Sequence, residues 1–143
     1  MLEWRLGHCD AARVEEAHWA RSDAWVLAAI VGAAGGDGPC SLGEVVAAGD
    51  GINHAVLTGA EIEQGVRRLL GAGLISTQAR RFDLTASGRA LATRRRGGLV
   101  GQVDELLTAL RGLAVVEETW SLEPGEIEEA SRWWQRKSRR ISR

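Results

Sequence analysis

The apolar positions fall into blocks whose period changes along the chain, and those changes predict the elements. Residues 23–34, DAWVLAAIVGAA, are apolar almost all round. A helix of that kind has no polar face to turn to water, so it belongs at the centre of a domain. The breaker cluster GGDGP at 35–39 ends it. Ser41-Leu42-Gly43-Glu44 and Thr58-Gly59-Ala60-Glu61 then repeat one device. In each, a hydroxyl accepts from the third amide and the Glu reaches back to the cap amide, as in a capping box. Two helices are therefore predicted to start near 42 and 59, separated by AGDGINHAVL at 48–57. In the second, Ile62, Val66, Leu69 and Leu70 share one face. Gly71 and Gly73 suit a left-handed C-terminal turn. Leu74–Thr77 and Arg81–Leu84 read as short strands joined by Gln78-Ala79-Arg80 as a tight hairpin. Thr85 is then the predicted N-cap of a helix over Ala86–Arg96, which Gly97-Gly98 breaks.

Beyond that point Leu99, Val103, Leu106, Leu110 and Leu113 recur at spacings of 4, 3, 4 and 3, with Val100 and Leu107 widening the stripe. That is a seam of coiled-coil type. A small domain leaves such a stripe, and the face carrying Trp120 and Trp134, as an apolar patch in water unless a second copy covers it. A homodimer formed through Leu99, Val103, Leu106, Leu110, Leu113 and Trp134 is the expectation. Ser121-Leu122-Glu123-Pro124 predicts the start of a last helix, with Pro early, where its missing amide costs nothing. Ile127, Ala130 and Trp134 line one face of it, and Arg132, Arg136, Arg139 and Arg140 form a cationic end that suits the helix dipole. The chain thus divides into a domain over 1–98, whose first 20 residues are mixed with Trp4 and Trp19 as packing anchors, and a helical arm over 99–143 with a basic tail.

Helix, capped helix, capped helix, glycine break, hairpin and helix follow one another in the order of a winged helix-turn-helix. The stretch VRRLLGAGLISTQARRFDLTASGRAL at 66–91 resembles the late part of that domain in small bacterial regulators of MarR and PadR type. There a helix ending in an aliphatic pair is followed by a GLI turn, a basic-tipped wing and an LT..G..L helix. The match spans residues 22–96, some half of the chain. The resemblance implies a mainly α, α+β fold with a two-stranded wing and a C-terminal helical arm. It also implies a cytoplasmic, dimeric transcriptional regulator that binds double-stranded DNA. Gln64, Arg67 and Arg68 would then enter the major groove, while Arg80 and Arg81 touch phosphate or minor groove from the wing.

Two features depart from that pattern. Helix-turn-helix turns run to about three or four residues, whereas 48–57 is longer. Glu61 and Glu63 also stand near the start of the presumed recognition helix, where base contacts arise and carboxylates repel phosphate. The alternative is a protein-interaction winged helix that uses Glu61, Glu63, Arg67 and Arg68 as a mixed-charge docking face, since fold alone does not set function.

Charge adds one distinction. The formal net charge of −1 hides alternating blocks: residues 1–60 balance at −5, 61–96 at +5, 97–129 at −7 and 130–143 at +6. Local field rather than total charge decides whether a polyanion binds. The basic end after Trp133-Trp134 has three readings: a solvated helix end, contact with a nucleic-acid backbone, or docking of a partner. Binding to a membrane surface fits less well, because the preceding stretch is acidic.

Chemistry is nearly silent. There is no GxSxG, and the only lysine, Lys137, excludes a Walker motif. Asp50 and His54 at i, i+4 read as a local hydrogen bond rather than an orienting pair. His8, Cys9, His18, Cys40 and His54 show no ligand spacing, so neither metal, cofactor nor enzymatic activity is expected. The six Trp residues read as packing anchors in preference to the lining of an effector pocket. Two cysteines without a CxxC suit a reducing compartment. The run Ala24–Ala34 is too short to span a bilayer, and the more acidic than basic residues before it do not suit a signal peptide.

Overall fold

Helix α1 (Arg21–Ala34) takes the central place its composition predicts: Ala24, Val26, Leu27, Ala28, Ala29 and Ile30 are fully buried. The computed structural model describes residues 17–34, 38–53, 57–93 and 99–141. Around α1 pack α2 (Leu42–Asn53), α3 (Gly59–Gly71) and α5 (Leu99–Leu110), while α6 (Glu126–Ile141) lies against α2. Strands β1 (Ile75–Gln78) and β2 (Arg81–Leu84) form a two-stranded antiparallel sheet, followed by the short α4 (Ala86–Ala92). The fold is thus mainly helical with a small sheet. His8, Cys9, Trp4, His54 and Gly97-Gly98 lie outside the described residues.

The local signals act as their chemistry requires. Glu44 N donates to Ser41 Oγ at 3.2 Å and Ser41 N donates to Glu44 Oε1 at 2.8 Å. Thr58 and Glu61 close the same reciprocal box at the start of α3. At its far end Gly73 sits at φ +74°, with Gly73 N donating to Leu70 O and Leu74 N to Leu69 O. That is the two-bond Schellman closure. Thr85 caps α4 through Gly88 N at 3.0 Å, and its hydroxyl donates to Gly73 O. A Cβ on Gly88 would collide with the Leu74 carbonyl, which is why the LT..G spacing needs glycine there.

The hairpin pairs Ile75 with Leu84 and Gln78 with Arg81, leaving the two-residue turn Ala79-Arg80. Both turn residues have positive φ, +53° and +61°, the sign that a tight hairpin of right-handed twist demands. Phe82 turns its other edge to Cys40: Cys40 N donates to Phe82 O at 2.7 Å and Phe82 N to Cys40 O at 2.8 Å. The buried Phe82 ring thereby ties the hairpin to the core. An L-residue in the left-handed region costs about 1 kcal/mol. Ala79→Gly should therefore raise stability by roughly 0.5–1 kcal/mol, read from the urea midpoint at constant slope.

Four expectations need correction. First, the 48–57 stretch is not all connection: α2 runs on to Asn53 through Gly49 and Asp50. Trp25 Nε1 donates to Gly49 O at 2.9 Å and Trp134 Nε1 to Asp50 Oδ2 at 3.1 Å, so packed indoles hold a glycine-rich turn helical. Second, the last helix starts at Glu126 rather than at Ser121, after a turn at Gly125 with φ +79°. Third, α4 stops at Ala92 with Thr93 as its C-cap, not at Arg96. Fourth, the seam of α5 is used within the chain: Val103, Leu106 and Leu110 are buried in the same core as α1. Residues 99–143 are accordingly no separate arm, since α5 shares that core. Their apolar stripe is covered in the single chain, which removes the reason for a dimer through Val103, Leu106 and Leu110. Trp134 packs against the core as well, Leu113 stays 39% exposed, and the side chain of Leu99 lies outside the described residues.

Candidate interaction face on the third helix and the wing

The amphipathic helix α3 buries Ile62, Gly65, Val66 and Leu69 and offers its other side, with the hairpin, as the face expected to touch DNA. That side is occupied. Between α5 and α6 the chain runs as an irregular strap, residues 111–125, across α3 and the hairpin. Backbone bonds hold it in place: Glu118 N donates to Arg67 O at 3.0 Å and Leu122 N donates to Glu63 Oε2 at 2.8 Å. A Cβ on Gly71 would strike the Val116 carbonyl, so the strap follows the end of α3 at backbone contact.

Each cation expected to reach DNA has a protein acceptor. Arg67 Nε donates to Trp120 O at 2.6 Å and its guanidinium pairs with Glu63 at 3.2 Å. Arg68 is only 12% exposed; it pairs with Asp23 at 3.0 Å and with Glu117 at 3.3 Å, and donates to His18 O at 2.7 Å. Gln64 Nε2 donates to the other oxygen of Asp23 at 3.3 Å. On the wing, Arg80 pairs with Glu126, donates to Ser121 O at 3.0 Å and lies over the Trp120 ring at 4.8 Å. Only Arg81 stays half in water, with Pro39 O at 3.3 Å and Glu44 at 3.9 Å. The expectation of a free Arg80-Arg81 tip fails for Arg80, because the strap brings a carboxylate and an indole to it, while Arg81 stays half exposed beside Glu44.

Three features of this face escaped the sequence. Trp120 is 9% exposed and meets Phe82 edge-on, with ring centroids 5.6 Å apart. Burying an indole of ~200 Å² is worth about 5 kcal/mol, which makes it the main anchor of the strap. Asp23, fully buried at the start of α1, accepts from Ala20 N at 2.7 Å as well as from Arg68 and Gln64. A lone acid heading an apolar helix was the available signal for it. Glu126 bonds Arg80 and also accepts from Glu123 N at 2.9 Å. For Glu123–Glu126 the reach-back of a capping residue was legible, but the Arg80 contact was not.

Electrostatics follow the geometry. Burial alone would raise the Glu126 carboxyl, but the hydrogen bonds from Arg80 and the Glu123 amide, with the Arg80 charge, bring it below its ordinary value. The hydrogen bond to Glu126 raises Arg80 in turn. A depressed carboxyl stabilises the fold above its unfolded pKa and loses that contribution as pH falls through the folded one. Acid titration should thus weaken the clasp below about pH 4.5. Glu126→Gln should remove part of the acid dependence of stability, checked by urea melts at pH 7 and pH 3.5. Burial, then Glu44 and Asp83, pushes the Cys40 thiol up to about 11, so it stays protonated at neutral pH. Among the described residues no group of His, Cys, Asp and Glu is arranged to hold a metal ion, and no helix is long and apolar enough to cross a membrane.

Comparison of the chain with protein-family models, with curated proteins and with solved structures finds no match.

Proposed function

We propose that this chain is a winged helix-turn-helix module whose third-helix face holds polypeptide rather than DNA, and that it acts as a protein-interaction module. What supports the winged-helix part of the reading is the order of α1, α2, α3 and the β1–β2 hairpin, and the five-residue gap from Asn53 to Gly59, which is nearer to a helix-turn-helix turn than 48–57 is. The observation that carries the reading is the strap. Glu63, Arg67 and Arg68, three of the four residues of the mixed-charge docking set, bond an acidic segment of the same chain at three points, while Glu61 closes the capping box with Thr58. Gln64, which would read a base, is turned to a buried carboxylate.

A second reading has its own observation. Glu117 and Glu126 present carboxylates to Arg68 and Arg80, where phosphates would stand in a DNA complex. In that reading the strap is a displaceable cover over a regulator's DNA face. Two measurements separate them. Native-state hydrogen exchange at the Glu118 and Leu122 amides should show protection equal to that of the α3 core if the strap belongs to the fold. Sequencing of fragments bound from a random duplex pool should give no enriched motif, for the native chain or for the Glu117→Gln/Glu126→Gln variant. A motif that appears when the clasp is cut, and disappears with Arg67→Ala, would establish the DNA-reading alternative.

A further inference from the structure

Six arginines of the domain body, Arg21, Arg67, Arg68, Arg80, Arg81 and Arg89, each stand within 4 Å of a carboxylate. The second half of α6 differs. Arg132, Arg136, Lys137, Arg139 and Arg140 are exposed, and none has a carboxylate partner among the described residues. The acids of this helix lie in its first turn, at Glu126, Glu128 and Glu129. Arg132, Arg136 and Arg140 recur every four residues, so their Cα atoms advance about 6 Å at a time along one stripe.

The helix that carries them is fixed. Trp134 donates to Asp50 on α2, and the Trp133 ring lies so close on Gly43 that a Cβ there would come within 2.7 Å of it. Beside that ring runs a groove of about 390 Å³ lined, among the described residues, by Trp133, Arg136, Lys137 and Arg140. Lys137 Nζ lies over the ring, 5.1 Å from its centroid, so a base that stacks there takes the place of this long, exposed side chain. An indole floor with three such cations around it matches a phosphate backbone together with an unstacked base. A membrane surface fits worse: Ile127, Ala130 and Trp134, the apolar face of α6, are spent against the core, leaving nothing to insert. An acidic peptide would satisfy the cations but has no flat ring to lay on Trp133.

We propose that this face of α6 binds single-stranded nucleic acid without regard to sequence, with the backbone on Arg132, Arg136, Lys137 and Arg140 and a base on Trp133. Trp133 also lines a cleft that reaches Arg80 of the hairpin, but the four cations all lie on α6, so the proposal stands whichever reading of α3 and the hairpin holds. The test is fluorescence anisotropy of the full chain with a labelled oligo-dT at low salt. Saturable binding is expected, with log affinity falling against log salt by about 0.7 per phosphate neutralised. The triple variant Arg132→Ala/Arg136→Ala/Arg140→Ala removes only exposed side chains, and its circular dichroism should match the native chain. It should bind more than tenfold more weakly and lose about two from the salt slope. Replacing the thymidines by abasic sites should weaken binding by about tenfold, through loss of stacking. Arg67→Ala and Arg81→Ala should leave oligo-dT binding unchanged. No binding at low salt, equal binding by the triple variant, loss through Arg81→Ala instead, or equal competition from polyglutamate or anionic phosphatidylserine vesicles would each overturn the proposal.

Discussion

Leu106→Glu should unfold the chain at every protein concentration rather than convert a dimer to folded monomers. Leu106 is 1% exposed, between the fully buried Val103 and Leu110, and all three face α1 in the core. A carboxylate placed there stands among the buried apolar side chains of the core, and an unpaired buried charge costs several kcal/mol. Domains of this size hold about 5–15 kcal/mol in total, so most of the stability goes with it. The milder Leu106→Ala should cost about 2–5 kcal/mol through the cavity it leaves. Its melting temperature should not depend on concentration, because the stripe is covered within the chain. Light scattering on the native chain should give about 15.4 kDa. Twice that mass, together with a folded Leu106→Glu monomer, would return the stripe to a role between subunits.

Asp23→Ala should cost about 3–5 kcal/mol, the range for removing one side of a buried ion pair. The carboxylate is fully buried and serves three donors: Ala20 N, Gln64 Nε2 and Arg68 Nη1. Its loss leaves the Arg68 guanidinium, which is 12% exposed, with only Glu117 and the His18 carbonyl, and leaves an amide at the head of α1 unsatisfied. Arg68 also holds Glu117, so the effect should reach the strap as faster amide exchange at Glu118. Removing both charges with Asp23→Leu/Arg68→Leu should recover much of the stability, since a hydrophobic replacement of a buried pair often costs little. Urea unfolding of the native chain, Asp23→Leu, Arg68→Leu and the double variant gives the coupling energy directly. A single-variant cost under about 1 kcal/mol would mean that the site is hydrated and the pair weak.

The elements that were legible in the sequence are those whose hydrogen bonds close within three or four residues. Ser41–Glu44, Thr58–Glu61 and Thr85–Gly88 each satisfy a helix start locally, and Gly73 ends α3 by its own backbone freedom. The central place of α1 follows from its having no polar face at all. The two-stranded hairpin was legible for the same reason, with only its turn one residue shorter than expected.

What covers an apolar stripe, and which carboxylate a cation finds, depends on residues tens of positions away, and only the tertiary structure decided it. The stripe of α5 is the same pattern whether a second copy or α1 covers it; the return of the chain past α4 selected α1. The 48–57 stretch carries two glycines that argue against helix, yet Trp25 and Trp134 held its first half helical through Gly49 and Asp50. The basic tip at Arg80 reads as free until Glu126, 46 residues on, arrives beside it with Trp120. By itself the sequence determined where the capped helices α2, α3 and α4 start, where α3 stops and which helix is central, because those terms are local or compositional. The occupancy of the α3 face was decided by packing, because burying Trp120 is worth more than leaving three arginines to water.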